Sequence, residues 1–278
     1  MRDYAYYNGV FTPYDSACVP LSDRAIFFAD AVYDVIIGIN GKPYQLDEHL
    51  SRLFANADAI GLENYVSENE LKKEIELLLY KAEAETFILY VQLSAKERRR
   101  AHARYESNTN LLMTVMATEV PSELSFISAV TLPDLRHGYC NIKTTNLLPS
   151  VFSVCDAQMM ECESAIFFKG DTVTEASSSN VSLLIENTLV THPLDSNILP
   201  GISERNLIRA AEKHGIKHER REFSLSEMKS ADTVLLTSTT KLVKICKSID
   251  GADLSVKGFE RAKLLFEEML SDLLVKTS

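Results

Sequence analysis

Apolar residues recur along this chain at two different periods, and the switches between them predict where strands give way to helices. Tyr4 to Tyr14 is an aromatic and β-branched stretch with Asn8-Gly9 inside it, which predicts a hairpin. Ala31 to Ile39 and Pro43 to Leu46 flank Asn40-Gly41, a dipeptide that accepts positive φ and suits a two-residue turn. Asp47 is then placed to cap a helix whose apolar positions Leu50, Leu53, Phe54, Ala57 and Ile60 fall at three- and four-residue steps; Arg52 lies off that stripe. Ser67 with Glu70 spells a capping box ahead of Leu71, Ile75, Leu78 and Leu79. Strands are expected at Thr86 to Ser94 and at Leu111 to Thr118.

The strand pattern stops before Ala117 to Glu123 and restarts at Leu124, so this Pro-bearing acidic stretch is the candidate linker. It divides the chain into an expected N-terminal domain, 1–119, and a C-terminal domain, 120–278. The second half predicts a helix from Ser150 to Glu161, strands near Ala165 to Phe168 and Val181 to Ile185, and a helix from Ser203 to His214. A strand at Thr233 to Thr237 and a last helix striped by Ala262, Leu265, Phe266, Met269 and Leu273 follow. Short strands joined by tight turns and interspersed with helices indicate an α+β fold with antiparallel or mixed sheets.

Composition narrows the partners more than the fold. The formal charge of −10 opposes the counterion-release attraction on which nucleic-acid and anionic-membrane binding depend, so neither is expected. A small anionic ligand would need a site built locally from Arg, backbone N–H and hydroxyl groups. The cysteines Cys18, Cys140, Cys155, Cys162 and Cys246 are odd in number, scattered and without a C-x-x-C spacing, which fits a reducing, cytoplasmic setting. No apolar run has the length of a bilayer span, and dispersed histidines offer no metal signature. Dinucleotide, P-loop, zincin and nucleophile-elbow motifs are absent.

Three segments are polar, rich in small residues, and placed at strand ends or helix starts: 172–180, 199–203 and 237–240. Each offers hydroxyls and backbone N–H groups. Ser203 opens a helix, so the amides of Ile202 and Ser203 are candidates to meet a phosphate where the helix dipole favours negative charge. Taken singly, each segment also reads as an ordinary turn or cap.

Taken with Asn141 to Leu148, they resemble the fold type IV pyridoxal-phosphate family, the class IV aminotransferases. The ordered matches are Tyr33, Arg100-Ala-His102, Lys143-x-x-Asn-Leu-Leu, Val173-Thr-Glu-Ala-Ser-Ser-Ser-Asn180, Gly201-Ile-Ser203 and Thr237-Ser-Thr-Thr240, and they are most similar to the bacterial D-amino acid transaminases. The resemblance implies a small N-terminal α/β domain, a larger C-terminal pseudo-barrel domain, and pyridoxal 5'-phosphate as cofactor. It makes Lys143 the catalytic residue, whose amine forms a Schiff base with the cofactor and shuttles a proton at the substrate α-carbon. Glu175 would face the pyridine nitrogen and keep it protonated. Arg52, the amides of Ile202 and Ser203, and Thr239 would hold the phosphate with Ser238 close by, Ser178 would also bind the cofactor, and Leu199 would back the ring. Tyr33, Arg100 and His102 would clamp the substrate α-carboxylate, the last two lent by the partner subunit of a homodimer.

The implied reaction is ping-pong transamination of D-amino acids such as D-alanine with a 2-oxo acid such as 2-oxoglutarate. Aminodeoxychorismate lyase, branched-chain aminotransferase and a non-catalytic dimeric binding protein are the alternatives on the same scaffold. The chain departs from the family pattern at several positions. Ala95-Lys96 stands for a usual Arg-Gly pair, Ala29 and Ala31 for glycines around Asp30, and Asp34 for a Glu after Tyr33. Ser164 stands for a Glu, leaving an acidic partner of Arg136 missing or supplied by Glu163.

Overall fold

The computed structural model describes residues 2–63, 65–96, 99–104 and 108–278. By contacts the chain divides into two compact units. Unit 1 is Met1–Val120 with Ile142–Asn146 and Leu273–Ser278; unit 2 is Pro121–Asn141 with Leu147–Asp272. The short segment bearing Lys143, expected with the C-terminal domain, thus groups with unit 1.

Unit 1 begins with the expected hairpin, β1 (Tyr4–Tyr7) and β2 (Val10–Pro13), turning through Asn8 and Gly9 at positive φ. A short helix α1 (Arg24–Phe28) leads to β3 (Ala31–Ile39), which turns through Asn40-Gly41 into β4 (Lys42–Pro43). Helices α2 (Leu46–Ala59) and α3 (Glu68–Ala82) and the long strands β5 (Phe87–Lys96) and β6 (Asn108–Ala117) complete it. The sheet order is β2-β1-β6-β5-β3-β4, antiparallel throughout. Alternate residues Val32 and Ile36 of β3 and Leu89 and Val91 of β5 face a core shared with Leu50, Leu53, Leu71, Ile75 and Leu78 of the two helices.

The Ser67–Glu70 capping box forms as its spelling predicts. Asp47 does not cap α2. Gln45 holds the N-cap position in the left-handed region, φ +52, and its carbonyl accepts from the amides of Glu48 and His49. The helix therefore starts before Asp47, which pairs with Lys72 at 2.7 Å instead.

Unit 2 contains β7 (Ser125–Pro133), α4 (Leu148–Met159), β8 (Ser164–Lys169), β9 (Thr172–Ala176), β10 (Asn180–Ile185) and β11 (Thr188–Thr191). After them come α5 (Ile202–Lys213), β12 (Lys217–Arg220), α6 (Leu225–Ser230), β13 (Thr233–Ser238), β14 (Leu242–Ile249), β15 (Ala252–Asp253) and α7 (Phe259–Lys276), whose last turn from Leu273 groups with unit 1. The sheet runs β12-β11-β10-β13-β14-β7-β8-β9, with β15 on β14. It is mixed: β7 lies parallel to both β8 and β14, and β11 to β12. It is also curled, bringing β9 and β10 close across the connection 177–179. Val181, Leu183, Val234 and Leu236 supply one face to an apolar core, and the opposite face carries Asn180, Ser182 and Thr237 toward α5. The α+β expectation holds, and among the described residues no helix is long and apolar enough to cross a membrane.

One glycine is required by close approach. A Cβ on Gly38 of β3 would lie 2.1 Å from Cζ of Phe87, its fully buried neighbour on β5. Gly38→Ala is therefore expected to lower unfolding stability by about 1–3 kcal/mol, the usual cost of overpacking, read as a lower urea midpoint at unchanged slope.

Candidate functional site

The segment bearing Lys143 is laid along the start of β3 like an extra strand. The amide of Tyr33 donates to the Lys143 carbonyl at 2.9 Å, Thr144 bridges to Val32, and the amide of Thr145 donates to the Ala31 carbonyl. Two further side chains, Thr145 Oγ1 and Asn146 Nδ2, donate to the carbonyl of Ala29 at 3.0 and 3.2 Å. Lys143 Nζ lies 4.3 Å from the centroid of the Tyr33 ring, which itself stacks on Tyr90. The lysine is thus aimed by backbone pairing, and Tyr33 shares its surroundings. Ala29 adopts φ +48, a conformation a glycine would take without strain.

Strand alternation sends the next residue, Asp34, to the opposite face, against α2. There it is fully buried and receives Arg52 through Nε and Nη2, each at 2.8 Å, and His49 Nδ1 at 2.8 Å. His49 and Arg52 are three residues apart on one helical face, so one carboxylate can hold both. Burial alone would push the Asp34 carboxyl up, but the Arg52 charge and the His49 bond hold it well below the usual range. Arg52, off the apolar stripe as its position suggested, is fixed by this bidentate contact.

The third group in unit 1 contains Arg100 and His102. The Arg100 guanidinium lies 5.0 Å from the centroid of Phe28 and 5.9 Å from that of Phe27, and the His102 ring is 5.4 Å from Phe28. Both residues are exposed, and their contacts run to α1, whereas those of Tyr33 run to Tyr90 and Lys143. Arg98, which precedes them in the basic run, lies outside the described residues.

In unit 2 the segment 172–180 is not simply a loop, since Thr172–Ala176 is strand β9 and buries Glu175. The Glu175 carboxylate accepts from Arg136 Nη1, from Asn180 Nδ2 at 3.3 Å and from the amide of Leu199 at 2.9 Å. Asn180 Nδ2 also donates to the Leu199 carbonyl at 2.8 Å. Its other side-chain atom, Oδ1, is packed so tightly on Gly201 that a Cβ there would lie at 2.0 Å. Glu175 is consequently tied by Asn180 and Leu199 to the N-terminus of α5. That helix starts from Gly201 with no side-chain cap, leaving its first-turn amides, including those of the buried Ile202 and Ser203, without the usual partner.

Arg136 is the hub behind this carboxylate. It forks onto Asp134 through Nε at 2.9 Å and Nη2 at 2.7 Å, donates to the Asn197 carbonyl, and sits 4.8 Å from the centroid of Phe167. Burial pushes Asp134 up, yet the Arg136 and Thr174 bonds bring it below the ordinary value. The acids on Arg136 are therefore Asp134 and Glu175. Glu163 instead accepts from the Ser128 amide and lies 3.9 Å from Lys244, so neither it nor Ser164 fills the role considered for that position.

Thr237 pairs with Asn180 across β13 and β10, and its buried Oγ1 has no hydrogen-bond partner among the described residues. Ser238 ends β13 and Thr239 begins the turn into β14; both are half-buried. Leu199 is half-buried, and Ser178 is exposed at the tip between β9 and β10. Sequence reasoning missed His49 and Asp134, and with them the anchoring task of Asp34. Asp134-x-Arg136 next to the apolar end of β7 was the available signal.

The amino-transferase class IV family model matches residues 31–249. A D-alanine aminotransferase of Bacillus licheniformis is 34% identical over 251 residues, covering 88% of both chains. The chain belongs to the class IV aminotransferases. These are pyridoxal-phosphate-dependent enzymes, and the fold type IV architecture follows from two further comparisons. A branched-chain aminotransferase of the archaeon Thermoproteus uzoniensis, solved with norvaline, matches with a TM-score of 0.85 at 21% identity, covering 98% of this chain and 95% of that one. A putative 4-amino-4-deoxychorismate lyase of Legionella pneumophila matches with a TM-score of 0.84 at 21% identity, covering 92% and 96%. At such identities the likeness is one of fold, shared by class IV enzymes with different named activities.

The Asp34 cluster gives this aminotransferase a predictable response to acid. Because the folded carboxyl is depressed, its contribution is present above about pH 4 and is lost as pH falls through the folded value. Asp34→Asn should cost about 3–5 kcal/mol at pH 7, since it strands a buried guanidinium, and the gap to wild type should narrow in urea titrations carried toward pH 2, about two units below the free carboxyl value.

Proposed function

We propose that this class IV aminotransferase transfers the amino group of D-amino acids such as D-alanine to a 2-oxo acid such as 2-oxoglutarate, in ping-pong fashion. The observation that carries the reading is the exposed Arg100–His102 pair on a chain 34% identical to a D-alanine aminotransferase. Arginine and histidine are charge-assisted donors suited to a substrate carboxylate.

Pyridoxal phosphate supplies an electron sink that stabilises negative charge at the substrate α-carbon. Lys143 Nζ would hold the cofactor covalently and move the α-proton, and the strand-like pairing of its backbone with β3 supports that role by limiting where the amine points. Glu175 would pair with the cofactor ring nitrogen and keep it protonated. Its three protein donors support a carboxylate held in one position. The uncapped amides of Ile202 and Ser203, with Ser238, Thr239 and Arg52, bind the phosphate; the donor set of α5 suits a dianion that a negatively charged chain would not otherwise attract. Leu199 backs the ring, Ser178 lies beside the site, and Tyr33 completes the carboxylate clamp.

The enzyme acts as a homodimer in the cytoplasm. The exposed face of α4, with Leu148, Val151, Phe152 and Met159, supports burial against a second copy, and five free cysteines support a reducing compartment.

Purified protein should be yellow, and borohydride reduction should fix the cofactor mass on the peptide containing Lys143; Lys143→Ala should bind cofactor reversibly and lose at least about 10³-fold in kcat. Steady-state assays with D-alanine, L-leucine and aminodeoxychorismate decide the substrate, and turnover confined to either of the last two overturns the D-specific reading. Arg100→Ala should raise KM for D-alanine roughly tenfold or more at nearly constant kcat. Sedimentation at micromolar concentration should give twice the chain mass.

A further inference from the structure

One carboxylate in unit 1, outside the assigned site, binds two guanidiniums: that of Arg24, which grips the Arg100–His102 loop, and that of Arg104, two residues beyond it. Asp30 follows the left-handed Ala29 and accepts from Arg24 Nε at 2.7 Å and from Arg104 Nε at 2.9 Å, with a second bond from Arg104 Nη2. Arg24 turns its remaining nitrogens onto the loop, donating to the carbonyls of Ala101 and, at 2.9 Å, His102. Arg104 anchors the far end, with Nη1 on the carbonyls of Ile60 and Gly61 at 2.7 and 2.8 Å. The Arg24 side chain is 6% exposed and that of Asp30 13%, so the charges are paired with little solvent to replace them.

Arg24 lies 4.6 Å from the Phe28 ring that Arg100 also approaches, at 5.0 Å. Among the described residues, Asp30 is the carboxylate partner of both Arg24 and Arg104. Without it, Arg24 and Arg104 would lose their shared counter-charge, the guanidiniums of Arg24 and Arg100 would face the Phe28 ring uncompensated, and Arg24 would lose the contact that orients its fork toward the loop carbonyls.

We infer that Asp30 is a positioning residue for substrate recognition, holding the Arg100–His102 loop in its binding geometry through Arg24 and Arg104. The inference rests on the D-amino acid reading for the loop's task, and on contacts alone for the loop's anchoring. Asp30 touches no reacting atom in this scheme, so its loss should weaken carboxylate binding and leave the chemical step alone.

The test is Asp30→Asn in the holoenzyme, which keeps size but removes the charge. KM for D-alanine and for 2-oxoglutarate should rise roughly tenfold or more, with kcat within about threefold of wild type and the cofactor absorbance unchanged. Asp30→Glu should recover part of the loss. Hydrogen exchange of amides 99–104 should quicken while that of β3 and β5 stays as in wild type. Unchanged KM, a parallel fall in kcat and cofactor content, or unaltered exchange of 99–104 overturns the inference. If Asp30→Asn does not fold, Arg104→Gln, on the more exposed arm, takes its place with the same readouts. Wild-type protein that fails to turn over D-alanine sinks the substrate reading, and the exchange comparison still decides whether Asp30 anchors the loop.

Discussion

A carboxylate withdrawn from water survives as an anion only where donors replace its hydration, and both units are organised around that requirement. In unit 2 the donors on Glu175 are structural parts: the Arg136 guanidinium, the Asn180 side chain that opens β10, and the backbone amide of Leu199 ahead of α5. Satisfying one charge therefore sets the spacing between the acidic end of β9 and the amide-rich start of a helix. Unit 1 uses the same device twice, with Asp34 holding His49 and Arg52 of α2, and Asp30 holding Arg24 and Arg104.

Much of the scaffold was legible because its signals are local. Asn8-Gly9 and Asn40-Gly41 turn where positive φ is cheap, Ser67 and Glu70 close their capping box, and the stripe from Ala262 to Leu273 is buried on α7. Asp47 misled because the start of α2 is decided by the reversal at Gln45, which follows the pairing of Tyr44 with Ile37 on β3. Thr172 to Ala176 read as polar connection because its hydroxyl and carboxyl groups are buried only by distant partners, Asp134 for Thr174 and Arg136 for Glu175.

The family was legible mainly through the ordered motifs. Nothing in the neighbourhood of Lys143 marks it out by composition; its placement comes from backbone pairing to residues more than a hundred positions earlier. Arg52 was visible as a charge off an apolar stripe, but the carboxylate that orients it lies on another element and carries no local signature. Ala29 keeps its left-handed turn despite a side chain, so the methyl is a cost the fold accepts rather than a change of path.

The strand-like placement of Ile142–Asn146 bears on how the chain can be divided. A cut at 120/121 looks like a clean module boundary, but it would hand the lysine segment to one fragment and its template strand to the other. The first fragment would keep an unpaired Tyr33 amide and an Ala31 carbonyl without its Thr145 donor; the second would carry the Lys143 amine without the strand that pairs its backbone. Recombination between relatives at that point exchanges half of a pairing, so functional chimeras require crossovers that keep 29–33 and 142–146 from the same parent.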